Sequence, residues 1–431
     1  MKISVFGSGR EVGRSAILLT HNKRNLLLDA GIKVYENELF ETGGAPQIPQ
    51  NVKIDAAVIS HAHLDHSGYF PAIQTMNQCP IYCTPPTQAI ANILTRDAKK
   101  IDPTLPYEIS DIEEAMRSVI LIPYNLEHTL AGGPDAMKFT LHDAGHIPGS
   151  AITEVKANKK RIVYTADFKF IETKLQKPAE AVEDVDVLII ESTYGLKDHP
   201  DREMTENKMC KEMQKVFDGN GNVLFPAFAV GRTQELAQIL YAHDVELPIF
   251  IDGMGSLVSD TILKYPNYVK NYDMLRESIA NLNHVGRDKS MPLKQPSAII
   301  STAGMLEGGP AVTYITLLEK KKAEKEIESA IFMTGYCIET TNGWYLQNKQ
   351  LIYLKKKKQK KSKPFNVNLR TELFHLSAHA GRTDLLNYIK KANPEKIICV
   401  HGDHCPEFAA QLKEMGYDAS APENGTTIDI I

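Results

Sequence analysis

The 431-residue sequence holds six cysteines and no CxxC pair, which leaves neither a disulfide framework nor a cysteine zinc knuckle. Apolar runs are short, as at residues 187–190, and nothing approaches the roughly 18 apolar residues of a membrane helix. Membrane spanning is therefore not expected. The opening Met1-Lys2-Ile3-Ser4-Val5-Phe6 reads as a strand and lacks a signal peptide's long apolar region. Large charge imbalance is also missing, with 49 basic and 53 acidic residues for a net charge of -4. That excludes a histone-like polycation but not nucleic acid, since phosphate binding depends on local patches. No internal repeat is visible. A cytoplasmic protein is expected.

What is present is ordinary globular composition, 43% hydrophobic and 24% charged, in a chain long enough for two or three domains. Residues 1–195 alternate strands and turns. Strand-like stretches fall at 5–7, 15–19, 26–29, 56–60, 81–83, 139–144, 151–155 and 161–166, and at Val187–Glu191. Residues 196–364 change character, alternating strands at 222–225, 248–251, 298–301 and 330–334 with helices at Arg202–Asp218 and 231–242. Such alternation indicates parallel βαβ units. Residues 365–431 resume the earlier style, with 374–377 leading into His379 and Lys396–Val400 leading into His401. The expected organisation is one domain in two sequence pieces with an α/β domain inserted between them.

The dominant feature is Ser60-His61-Ala62-His63-Leu64-Asp65-His66-Ser67-Gly68. Four of these nine residues can ligate a metal, and His and Asp both suit zinc. A rigid helix could not aim all four at one ion, because positions two apart do not share a face; a loop after a strand can. Asp29, His146, Asp167, Glu191, His379 and His401 also stand at or just past strand ends. Metal-competent residues so placed suggest a site along one edge of layered sheets. His21, His128, His199, His243, His284 and His404 are read as ordinary surface or hydrogen-bonded histidines.

The 61–66 cluster resembles the HxHxDH signature of the metallo-β-lactamase superfamily, which implies an αββα sandwich. By that resemblance His61, His63 and His146 would hold one metal, and Asp65, His66 and His401 a second. Asp167 would bridge them, and Asp29 would support the loop. Glu191-Ser192-Thr193-Tyr194-Gly195, Ser377-Ala378-His379-Ala380 and Val400-His401-Gly402 resemble the motifs that flank an inserted β-CASP domain. Residues 228–235 and 301–310 are similar to stretches inside that insert. The group most resembled is the archaeal RNA nucleases related to the cleavage and polyadenylation specificity factor, in a short form without an N-terminal RNA-binding domain. Bacterial ribonuclease J is a more distant likeness. One departure is that Ala380-Gly381-Arg382 stands where the family often has an acidic residue soon after the histidine.

The resemblance implies two zinc ions per chain and a single-stranded RNA substrate. Two close metal ions suit phosphodiester hydrolysis, acidifying a water and neutralising charge on phosphoryl oxygens. Asp65 would serve the chemistry as well as the metal. His379 would protonate the departing oxygen, kept basic by Glu191. Gly231 and Arg232 open a helix after a strand, where backbone N–H groups and a guanidinium can receive phosphate. Arg382 could add a phosphate contact or mark a different local network, and Ser377 is a further candidate substrate contact. Lys355 and Lys356 begin a basic run, with Lys357, Lys358, Lys360, Lys361 and Lys363, that either lines the RNA path or is an exposed loop. Tyr345 and Tyr353 beside it could stack on bases.

The expected activity is therefore endonucleolytic cleavage of single-stranded RNA in processing or 3′-end formation. A 5′-to-3′ exonuclease of ribonuclease J type is the alternative within the class. A non-catalytic RNA-binding or scaffold protein is the alternative outside it. Self-association into a homodimer through Ile428, Ile430 and Ile431 is also implied by resemblance.

Overall fold

The computed structural model describes residues 1–33, 44–130, 135–354 and 363–430. The lysine run from Lys355 through Lys361, including Lys355 and Lys356, lies outside the described residues, as does Ile431. The chain divides into two compact units, Met1–Asp198 with Ala378–Ile431, and His199–Ser377.

Two seven-stranded sheets build the first unit. One has the order Thr427–Asp429, Lys2–Gly7, Ala16–His21, Arg24–Leu28, Ala56–Val58, Ile81–Cys83, Val119–Leu121. The other runs Ala419–Ser420, Lys396–Val400, Val187–Glu191, Lys160–Tyr164, Ala151–Ala157, Lys138–Asp143, His128–Thr129. Strand periodicity of two decides which side chains meet. Ile162, Tyr164, Val187, Ile189, Ile398 and Val400 face the first sheet and pack with Ile17, Leu19, Leu28 and Val58. The intervening Val163, Leu188, Ile190, Ile397 and Cys399 face outward, onto Leu385, Tyr388, Ile389, Phe408 and Leu412. Those last residues belong to helices Arg382–Ala392 and Cys405–Glu414. Burial on both faces is why these strands read as unbroken apolar runs.

Helices Phe70–Asn77, Pro85–Ile101 and Ile109–Ser118 make the other outer layer, completing the expected αββα sandwich. Thr84 fixes the start of the longest, accepting from the Thr87 N–H, with proline in the first turn. Ile430 is buried in the sandwich core and Ile428 packs against it, their segment pairing with Lys2–Ser4. Both isoleucines thus contribute to this chain's own core, Ile430 fully and Ile428 in part. No helix among the described residues is long and apolar enough to cross a membrane.

The second unit carries a six-stranded sheet, with Asn283–His284, Ile249–Asp252, Ser297–Ser301, Asn222–Pro226, Ala330–Met333 and Arg370–Leu373 in that order, all parallel. Three details depart from the sequence expectation. The second unit extends to Ser377 rather than ending at residue 364, because Arg370–Leu373 pairs with Ala330–Met333 as its edge strand. Residues 374–377 are not a strand; their apolar look comes from buried Phe374 and Leu376. The glycine-rich turn at 303–310 also hid the start of a 17-residue helix, Gly309–Lys325.

Candidate metal centre

The polar side chains gather where strands end. Lys160–Tyr164, Val187–Glu191 and Lys396–Val400 are parallel neighbours, with Tyr164 opposite Ile189 and Glu191 opposite Val400. Asp167, Glu191 and His401 therefore leave one edge of the sheet. Lys138–Asp143 is antiparallel to Ala151–Ala157, itself antiparallel to Lys160–Tyr164, so it runs the same way and delivers His146 to that edge. In the other sheet Arg24–Leu28 and Ala56–Val58 are parallel and end at Asp29 and the histidine loop. His61 and His63 are on that loop, whereas Asp65 and His66 sit on a single helical turn, Leu64–Ser67.

Asp167 is shared by three metal-competent groups, one completed by Glu191 and His379 and two larger ones by the other ligands. His61, His63, His146 and Asp167 form one of the larger groups, their ligand atoms within 4.8 Å of one another. His63 Nδ1 lies 3.2 Å from His61 Nε2 and 3.1 Å from His146 Nε2. Asp65, His66, Asp167 and His401 form the other, with His401 Nε2 3.4 Å from His66 Nε2 and 3.3 Å from Asp65 Oδ2. Asp167 belongs to both: Oδ2 is 3.5 Å from His61 Nε2, and Oδ1 is 3.3 Å from His66 Nε2.

These residues fit a pair of metal ions. Nitrogen ligands at about 2.05 Å around a tetrahedral zinc stand about 3.3 Å apart, close to the spacings observed. Asp167 Oδ1 is buried with His66 Nε2 and His401 Nδ1 both 3.3 Å away and no well-aligned hydrogen bond among the described residues, so a metal cation would satisfy it as well as an imidazolium does. Protonation states agree. Burial, with neighbouring imidazoles, holds His61 and His146 well below the ordinary histidine value, so their nitrogens are neutral donors. Burial also opposes ionisation of Asp65 and Asp167, but the His66 and His401 charges outweigh it and keep both carboxyls well below the usual range. His66 is pushed well above its usual value, against burial, by Asp167, Asp29 and Asp65. Carboxylates that hold a proton there equally attract a metal cation.

Surrounding residues fix the donors. Asp29, fully buried, accepts from His66 Nδ1 at 2.7 Å, Ser60 N–H at 2.7 Å, Ser60 Oγ at 2.8 Å and the Tyr164 hydroxyl at 2.8 Å. The Asp29–His66 bond leaves His66 Nε2 to face the second group. His146 Nδ1 donates to the Ala378 carbonyl at 2.9 Å, leaving its Nε2 to the first group. Ser60 and Tyr164 escaped the sequence reading, although a tyrosine closing an apolar strand beside Asp167 was the available signal.

Beside the donors stand Glu191 and His379. His379 Nδ1 is 3.2 Å and 3.1 Å from the two Glu191 oxygens, and Glu191 also accepts the Phe168 N–H at 3.1 Å. Burial would lower His379, but the Glu191 and Asp167 carboxylates raise it to about 9. His379 Nε2 points back toward Asp167 Oδ2 at 3.9 Å. A protonated imidazole whose side chain is 23% exposed, beside two donor groups, can deliver a proton to a group bound there.

The remaining expected residues are not among these donor groups. Gly231, Arg232 and Ser377 belong to the second unit; Gly231 caps helix Arg232–Ala242 with φ +77°. Arg382 opens helix Arg382–Ala392, and its guanidinium already meets Gln411 Oε1 at 3.2 and 3.3 Å, so a phosphate would have to compete for it. Lys355 and Lys356 lie outside the described residues. Among the described residues, none of the six histidines read as ordinary joins a metal-competent group.

Comparison with known proteins agrees with this geometry. Residues 18–186 match the metallo-beta-lactamase superfamily domain, 233–346 the Beta-Casp domain, and 365–422 the Zn-dependent metallo-hydrolase RNA specificity domain. The chain is 33% identical to "RNase aCSPSF2" of Saccharolobus solfataricus, over 99% of this chain and 85% of that protein. It is 33% identical to "Probable RNase MJ4" of Methanocaldococcus jannaschii over the full length of both. "Transcription termination factor FttA" of Pyrococcus abyssi is 32% identical over 99% of this chain and 71% of its own length. A crystal structure of a protein of unknown function from Enterococcus faecalis shares the fold, with a TM-score of 0.63 at 13% identity over 99% of both chains. With its three domain signatures in order and a third of its residues shared along its whole length, the chain belongs to the metal-dependent β-CASP ribonucleases of the metallo-β-lactamase superfamily.

Proposed function

We propose that this chain is a two-zinc endoribonuclease that cuts single-stranded RNA in processing or 3′-end formation. The observation that carries the reading is the pair of donor groups sharing Asp167, with the Glu191–His379 pair at their side. His61, His63 and His146 would hold one ion, Asp65, His66 and His401 the other, and Asp167 both. Bound there, the ions supply Lewis acidity toward water and the phosphoryl oxygens. The chain's own residues do the rest. Asp65 and Asp167 stay ionised and set the charge of the site. Glu191 holds His379 by Nδ1 and keeps it protonated, so Nε2 can give its proton to the departing ribose oxygen. Asp29 and the Ala378 carbonyl hold His66 and His146 in the tautomers that direct Nε2 toward the donors.

Gly231, Arg232, Ser377 and Arg382 are proposed as RNA contacts on their chemistry, as are Lys355 and Lys356. A homodimer and a cytoplasmic location complete the proposal. Names of the relatives support RNA as substrate, and the termination-factor relatives favour a role at transcript 3′ ends. One relative favours the exonuclease reading: an "RNase J-like protein" of Methanocaldococcus jannaschii, 31% identical over 98% of both chains. Matched circular and 5′-monophosphorylated linear single-stranded RNAs separate the two. Opening of the circle on a denaturing gel is expected. Consumption of the linear RNA alone would replace the endonuclease by the exonuclease.

A further inference from the structure

Lys169 is a lysine with a side chain only 2% exposed, and neither metal binding nor proton transfer uses it. Buried lysines are rare unless paired, and this one reaches into the loop that carries His379. Its Nζ donates to the His379 carbonyl at 2.9 Å and stands 3.4 Å from Asp384 Oδ2. The Asp384 carboxylate in turn accepts the Gly381 N–H at 3.4 Å, closing the first turn of helix Arg382–Ala392.

The contact is part of a longer seam. Residues 167–169 and 378–381 run beside each other. Ala380 N–H donates to the Phe168 carbonyl at 2.7 Å. Phe168 N–H donates to the Glu191 carboxylate that holds His379. The Ala378 carbonyl receives His146 Nδ1. The segment that presents Asp167 to the donor groups therefore also sets where the His379 backbone lies. Within that seam Lys169 supplies a charged side-chain hydrogen bond to the backbone of His379 itself. Bonds to charged donors are worth more than neutral ones, and burial keeps water from replacing this one.

We propose that Lys169 is a positioning residue for the cleavage reaction: its ammonium pins the His379 carbonyl and so fixes the reach of the imidazole toward the substrate oxygen. This rests on the reading of His379 as the proton donor. Its role is distinct from that of Glu191, which acts on the ring. Without the ammonium the loop backbone is free to shift, and a displacement near 1 Å at a reacting group costs about 100-fold in rate.

The test is a double-mutant cycle on the purified, zinc-loaded full chain, using Lys169→Met, His379→Ala and the double variant, with kcat and KM for single-stranded RNA cleavage. Lys169→Met is expected to lower kcat about 10- to 100-fold, with KM and zinc content per chain unchanged. In the His379→Ala background the same substitution is expected to have almost no further effect, because the imidazole that the pinned backbone positions is gone. A multiplicative loss in the double variant would overturn the proposal, as would wild-type kcat in Lys169→Met. Wild-type kcat in His379→Ala would instead sink the proton-donor reading beneath it. Because removing a buried ammonium leaves Asp384 without it, Lys169→Met/Asp384→Asn serves as the folding control. That variant is expected to regain thermal stability but not kcat; recovery of kcat with stability would show a purely structural role and overturn the proposal.

Discussion

Replacing Glu191 by glutamine should change how cleavage depends on pH more than how fast it can be. The amide oxygen can still accept from Phe168 N–H and from His379 Nδ1, so the ring keeps its place. What disappears is the charge that, with Asp167, raises His379 from an ordinary 6.5 to about 9. At pH 8 an imidazole titrating at about 9 is about 0.9 protonated, and one at the ordinary value about 0.03. An acid catalyst would then lose up to about 30-fold in rate at pH 8 and less than about twofold at pH 6. Asp167 remains in Glu191→Gln, so these are upper limits. Bound metal ions lower both values together, so the quantity to read is the separation of the two alkaline limbs. Single-turnover cleavage of end-labelled RNA, from about pH 6 to about pH 9.5, gives both limbs. The sign is fixed: a raised His379 keeps activity to higher pH, and Glu191→Gln loses it earlier as pH rises. Superimposable profiles, or a loss equal at every pH, would refute the assignment of Glu191 as the group that keeps His379 charged.

His63→Ala should lower both zinc stoichiometry, measured by mass spectrometry of the metal, and cleavage; unchanged stoichiometry would remove His63 from the ligands. Asp29→Ala touches no proposed ion yet frees His66, and should weaken metal affinity about 10- to 100-fold in a competition titration. Chelation should abolish RNA cleavage and lower the unfolding midpoint, with both restored by zinc, since a ligand that binds only the native state stabilises it. Ile398→Ala, between the two sheets and fully buried, should cost about 2–5 kcal/mol in denaturant unfolding with the slope unchanged.

Much of the centre was legible in the linear sequence for a physical reason. Strand interiors buried on both faces admit few polar residues, so Asp29, Asp167, Glu191 and His401 stood out at the ends of apolar runs, and the density of ligands at 61–66 had no ordinary explanation. The same logic failed where burial and polarity did not coincide. Arg370–Leu373 is an edge strand whose arginine and glutamate give no apolar pattern, so its pairing with Ala330–Met333 in the second unit's sheet is not legible in the sequence. Phe374 and Leu376 are buried without being a strand.

By itself, then, the sequence determined the strand-end placement of the donors, the two-piece organisation and, through its motifs, the family. Pairing and register were decided only in three dimensions. Strands distant in sequence had to lie parallel, Val187–Glu191 beside Lys396–Val400, before Glu191 could meet His379 and Asp167 could face both donor groups. The hydrogen bonds that aim those donors are the same kind of fact. Asp29 to His66, Ala378 to His146 and Lys169 to His379 join residues 37, 232 and 210 positions apart. No local pattern encodes such bonds, because chain distance says nothing about which buried polar groups must satisfy one another once water is excluded.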